Sequence, residues 1–160
     1  MADEILLRKM EYIAEQSRSW DELLRKTVEL LYLNNERYHW VGIYLLEDDT
    51  LVLHNYMGKP TEHTRIPVGK GVCGTAVQQR ENQLIGDVTK LENYLACSPE
   101  TKSEIVVLIK DDERILGQID IDSDQRDAFG PDDESFLNQI AGIIAAKSRQ
   151  LLPSRSKNHA

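Results

Sequence analysis

Two pairs of strand-like segments, each pair joined by a very short acidic turn, constrain this chain more than anything else in its sequence. Tyr38 to Leu46 is followed, across Asp48-Asp49, by Leu51 to Tyr56. Ser103 to Ile109 is followed, across Asp111-Asp112-Glu113, by Arg114 to Asp122. These runs are rich in the aromatic and β-branched residues that suit a pleated surface. Strands joined this closely pair antiparallel, because a parallel crossover needs about a dozen residues or more.

Helical patterns flank the strands. Ile5, Leu6, Met10 and Ile13 recur at helical spacing in residues 3–16. Ser19-Trp20-Asp21-Glu22 reads as a capping box. It opens a second helix whose apolar face runs through Leu23, Leu24, Thr27, Leu30 and Leu31, and Asn34-Asn35 ends it. Pro131, followed by Asp132, Asp133 and Glu134, opens a last helix that reaches about Leu152. Between the hairpins lie a long loop at 58–71, a short helix at 74–79, a short strand at Leu84-Ile85 and a second loop at 87–101. Strands grouped between helices predict a single α+β domain over residues 1–152, with its N-terminal helix within residues 1–18. A loose polar tail is expected at 153–160.

Composition excludes several classes of function. The 160 residues suit one domain with a real core. The formal net charge of −8 repels a phosphate backbone or an anionic membrane surface. Neither nucleic acid nor membrane is therefore an expected partner. No apolar run approaches the roughly 18 residues of a spanning helix. The acidic, amphipathic start Met1-Ala2-Asp3-Glu4 is not that of a signal peptide. The expected location is cytoplasmic, where thiols stay reduced and a structural disulfide is a poor default. His39, His54 and His159 show no spacing that would complete a zinc site with the cysteines. Asp120-Ile121-Asp122-Ser123-Asp124 imitates the start of a calcium loop, but Gln125 stands where glycine is needed and Pro131 where the closing glutamate belongs. No metal site is expected.

Thiol and carboxylate chemistry remain. Cys73 and Cys97 are the two cysteines of the chain. Cys73 lies in Gly69-Lys70-Gly71-Val72-Cys73-Gly74, a string that matches a dinucleotide fingerprint without its strand-to-helix context. The glycines read better as permitting close backbone approach and setting Cys73 at the start of the short helix. The competing reading of Cys73 is a small buried hydrophobe. Cys97 precedes Ser98-Pro99-Glu100, where Ser98 caps a helical turn and Pro99 fits its first position. Partial positive charge at such a helix start favours thiolate, the nucleophilic form. A three-residue turn at 111–113 pairs Lys110 with Arg114 and Glu104 with Asp120. Alternation then places Glu104, Asp120 and Asp122 on one face with Val106, Leu108 and Leu116, opposite Ile115, Ile119 and Ile121. Those carboxylates form either a solvated face or the receptor for a cation, for which an ammonium group suits better than a dedicated metal. Trp40 and Tyr44 share a strand face, as core packing or as pocket walls. His63 lies in the long loop, 10 residues before Cys73.

Trp40-Val41-Gly42-Ile43-Tyr44, the run from Arg65 to Ala76, Ala96-Cys97, Ser103-Glu104-Ile105-Val106 and Asp120-Ile121-Asp122-Ser123 occur in that order. Together they closely resemble the GAF-domain free methionine-(R)-sulfoxide reductases. The resemblance implies a GAF fold, α+β with a six-stranded antiparallel sheet and flanking helices, commonly as a homodimer. It implies that Cys97 is the catalytic nucleophile, passing through a sulfenic acid, and that Cys73 matches a further family cysteine and is a candidate resolver. Glu104, Asp120 and Asp122 match substrate-binding acids, and Trp40 and Tyr44 match pocket-lining aromatics. Free methionine sulfoxide is the implied substrate. No bound cofactor is implied, and a thioredoxin-like protein is the implied reductant. In three-cysteine members, the cysteine that commonly resolves the oxidised intermediate stands where this chain has His63. The alternative is a non-catalytic GAF module that binds an amino-acid-like ligand.

Overall fold

The computed structural model describes residues 2–91 and 99–153. Helices α1 (Ala2–Gln16) and α2 (Trp20–Leu33) precede the hairpin of β1 (Trp40–Glu47) and β2 (Thr50–Met57). Then come β3 (Arg65–Pro67), α3 (Gly71–Gln79), β4 (Gln83–Ile85) and a 3-10 turn at Val88–Lys90. The second hairpin, β5 (Ser103–Asp111) with β6 (Arg114–Ser123), leads into α4 (Pro131–Leu151). The strands form one antiparallel sheet in the order β3-β2-β1-β6-β5-β4. β3 is the strand that the sequence does not announce. It is three residues long and ends in Pro67, which an edge position tolerates because its missing N–H breaks no inner ladder.

Local chemistry accounts for the helix ends. Ser19 Oγ accepts a hydrogen bond from the Glu22 N–H at 3.0 Å. The Glu22 carboxylate reaches back to the Arg18 N–H at 2.8 Å, one residue outside the expected box. A cap of this kind contributes about 1 kcal/mol. The Asn34 and Asn35 side chains donate to the Leu30 and Leu31 carbonyls and close α2. In α1 the buried stripe is Leu6, Met10 and Ala14, whereas Ile5 is 58% exposed and faces away from the core.

The sheet is covered on both faces. α1, α2 and α4 bury Val41, Ile43, Ile105, Val107, Ile109, Ile119 and Ile121. On the other face α3 and its neighbouring loops pack Val72, Cys73 and Ala76 against Trp40, Tyr44, Val106 and Leu108. This second face carries the site.

The β5–β6 register differs from the one the sequence predicts. Asp111, not Lys110, pairs with Arg114, so the turn is the two residues Asp112 and Glu113. Asp112 takes a left-handed conformation (φ 56°) that so tight a turn requires. A bulge opposite Ile109 and Lys110 absorbs Leu116, and Glu104 consequently faces Asp122 while Val106 faces Asp120. The two-residue shift leaves the carboxylates on their predicted face, because side chains alternate with period two. The bulge reverses the two residues beside it. Leu116 enters the helical core, and Ile115 joins the opposite face.

Candidate active site

Neighbouring strands bring the site side chains into rows. Trp40 stands opposite Asp122, Gly42 opposite Asp120 and Tyr44 opposite Gln118 across β1 and β6. Glu104 on β5 stands on the far side of Asp122. Gly42 has no room for a side chain, since a Cβ there would lie 2.4 Å from the Trp40 ring. The indole lies along the strand over Gly42 and stacks on Tyr56 with ring centres 5.4 Å apart. Its Nε1 donates to the Lys59 carbonyl at 3.1 Å.

The glycine loop sets α3 over these rows. Gly69 and Gly71 take φ of 94° and 62°, a region that glycine enters without a Cβ penalty. Gly69 N–H donates to the Gly74 carbonyl and Gly74 N–H to the Lys70 carbonyl, at 2.9 and 2.8 Å. These donors are used within the loop, unlike the free N–H groups of a phosphate cradle. The helix begins at Gly71, three residues before the predicted start, and Cys73 sits in its first turn.

Cys73 is buried against the carboxylates. Its Sγ lies 3.2 Å from Asp120 Oδ2 and 3.9 Å from Glu104 Oε2. Glu104, Asp120 and Asp122 are each no more than 2% exposed, which sets aside the solvated-face reading. Burial pushes the Glu104 carboxyl well above its usual range, and the charges of Asp120 and Asp122 push it further. Burial also raises Asp120, partly offset by contacts from Glu104 and the Cys73 thiol. Such a cluster has protons to give and attracts positive charge.

Tyr44, His63, Lys70, Cys73, Glu104 and Asp120 help wall a cavity of about 10 Å³, the size of one water. His63 thus comes to the same cavity as Cys73, and its carbonyl accepts the Tyr44 hydroxyl at 2.7 Å. Trp40 lies on the same face but does not wall this cavity. Gln118 is a residue that sequence reasoning passed over. Its Nε2 donates to the Cys73 carbonyl at 3.1 Å and ties the first turn of α3 to the sheet. Its place in the alternation with Asp120 and Asp122 was the available signal. Cys97 and its predicted cap Ser98 lie outside the described residues.

A sequence profile of the GAF domain matches residues 17–146. The chain is 40% identical over 148 residues to the free methionine-R-sulfoxide reductase of Escherichia coli K12, covering 86% of this chain and 89% of that relative. It is similar to the solved structure of free methionine-R-sulfoxide reductase from Neisseria meningitidis in complex with its substrate, with a TM-score of 0.87 and 33% identity over 92% of this chain and 90% of that one. It is also similar to the reduced form of the Staphylococcus aureus fRMsr, with a TM-score of 0.85 and 37% identity over 91% and 94%.

Proposed function

The chain belongs to the GAF-domain free methionine-R-sulfoxide reductase family, and on that premise we propose that it reduces free L-methionine-(R)-sulfoxide to methionine with Cys97 as the nucleophile. The buried cluster of Glu104, Asp120 and Asp122 is the observation that supports this reading most. A free amino acid presents an ammonium group, which offsets the repulsion among buried carboxylates. One ammonium cannot neutralise three carboxylates, so one acid retains a proton, and the raised Glu104 suits that part.

The Cys97 thiolate attacks the sulfoxide sulfur, and a carboxyl such as Glu104 protonates the sulfoxide oxygen. The sulfur–oxygen bond breaks, the hydroxyl passes to Cys97 and methionine leaves reduced by two electrons. Cys97 is then a sulfenic acid. The Cys73 thiol condenses with it, giving a disulfide and water. A thioredoxin-like dithiol restores both cysteines. Condensation requires the two Cα atoms within about 7 Å. Tyr44 walls the pocket, and Trp40 stands beside it on the same sheet face, opposite Asp122. The proposed setting is cytoplasmic. No helix among the described residues is long and apolar enough to cross a membrane. The proposed assembly is a homodimer. Exposed Ile5, Tyr12 and Leu33 on α1 and α2 support association through the helical side.

A GAF sensor would use the same carboxylates to bind an amino acid without chemistry. The reductase relative that spans most of the chain favours the enzyme. The deciding assay is thiol-dependent conversion of free L-methionine-(R)-sulfoxide, run beside Cys97→Ser. Turnover that vanishes in Cys97→Ser is expected. Absence of turnover with both dithiothreitol and thioredoxin would leave the sensor.

A further inference from the structure

Cys73 Sγ, a Glu104 oxygen and an Asp120 oxygen lie within 4.8 Å of one another, and all three residues are buried. Tetrahedral zinc holds thiolate sulfur at about 2.3 Å and carboxylate oxygen at about 2.1 Å, which puts sulfur and oxygen about 3.6 Å apart. The observed separations, 3.2 Å to Asp120 Oδ2 and 3.9 Å to Glu104 Oε2, straddle that distance. A second observation points to an occupant. Among the described residues no N–H or hydroxyl donor reaches the buried Glu104 Oε1 or Asp120 Oδ1, whose polar neighbours are carboxyls of the same cluster, a state that costs free energy until a donor or a cation completes it. The cavity these groups help wall, about 10 Å³, suits one ion-sized occupant.

We infer that a thiophilic divalent cation of the zinc class binds Cys73, Glu104 and Asp120 and excludes the substrate ammonium from the same carboxylates. Binding exchanges protons for the metal. The thiol proton and any carboxyl proton pass to solvent, and no electrons move. The donor set also selects. One sulfur and two carboxylates favour zinc or cadmium, whereas magnesium and calcium prefer oxygen cages of six or more ligands. Such a cation is an inhibitor here and not a cofactor, and it holds Cys73 away from disulfide chemistry while bound. The exclusion of substrate rests on the proposed function, but the metal site does not.

The test uses the Cys97→Ser chain, which keeps Cys73 as its sole thiol. Zinc is titrated by calorimetry, and cadmium by its thiolate charge-transfer absorption. One equivalent is expected, with affinity at least tenfold weaker when Asp120→Asn or Glu104→Gln is added. Equal affinity in those variants, or no binding at all, overturns the site. Zinc X-ray absorption of the Cys97→Ser chain needs no further variant. One sulfur with oxygen neighbours supports the site, and a shell without sulfur or with two sulfurs overturns it. In the unsubstituted chain zinc is expected to compete with sulfoxide. Turnover unaffected at saturating zinc overturns the exclusion. Metal binding in a chain without turnover would remove the proposed function and leave the metal site standing.

Discussion

Burial beside Asp120 and Asp122 lets Glu104 keep its proton in the folded chain at a pH where the unfolded chain has lost it. That proton stabilises the fold fully below the unfolded pKa of about 4.3. The contribution is lost as pH rises through the higher folded value, where a charge must be held in the interior. Glu104→Gln removes the titration. Its melting temperature in the ligand-free state is expected to exceed the parent's at pH 8 by about 2–4 °C, on the order of 1 kcal/mol. The gap should shrink towards pH 4–5, and a gap independent of pH would contradict this account. Asp120→Asn tests the same cluster from the ligand's side. Losing one charged partner of the ammonium costs about 1.5–3 kcal/mol, so KM for the sulfoxide should rise about 10- to 100-fold. Steady-state kinetics read this directly, and an unchanged KM would place the ammonium elsewhere. The sequence showed these acids as types on one face of two paired strands. It did not show that Cys73 touches them, because 31 and 47 residues of chain separate Cys73 from Glu104 and Asp120.

Elements constrain one another through close approach. Gly42 lets the Trp40 indole lie along β1, and a Cβ at Gly42 also comes within 3.3 Å of Leu53 Cδ1. Gly42→Ala forces the ring or the strand to move. Overpacking of this kind costs about 1–3 kcal/mol. Urea denaturation is expected to show that loss, together with an altered near-ultraviolet circular dichroism as the Trp40–Tyr56 stack shifts. Full parental stability would mean that the ring has another place to lie. The hairpins were legible because turn length and alternation act within a few residues. β3 and the bulge at Leu116 were not. A three-residue edge strand carries no periodic pattern, and a bulge is fixed by how two strands must twist to pack on both their faces.

At the scale of the whole molecule, the sheet separates two cores. Met10 on α1 is fully buried in the helical core, away from the site face, and Thr27 Oγ1 lies 3.5 Å from its sulfur. Met10→Ala should therefore cost about 2–5 kcal/mol of stability while KM for the sulfoxide stays at the parental value. Thermal unfolding and kinetics on the same preparation check both halves, and a raised KM would show that the cores are coupled. The sequence alone determined the types of the longer elements, the antiparallel pairing of the two hairpins, the shared face of Glu104, Asp120 and Asp122, and the family. All of these reside in short patterns of residue type, which a chain carries whether or not it is folded. Tertiary structure alone decided that the carboxylates are buried, that Gln118 anchors α3, that His63 meets the same cavity as Cys73, and that the thiol rests 3.2 Å from Asp120. Each of these depends on where the glycine loop sets α3 across the sheet. That placement is fixed by packing between segments far apart in the chain, which no local pattern specifies.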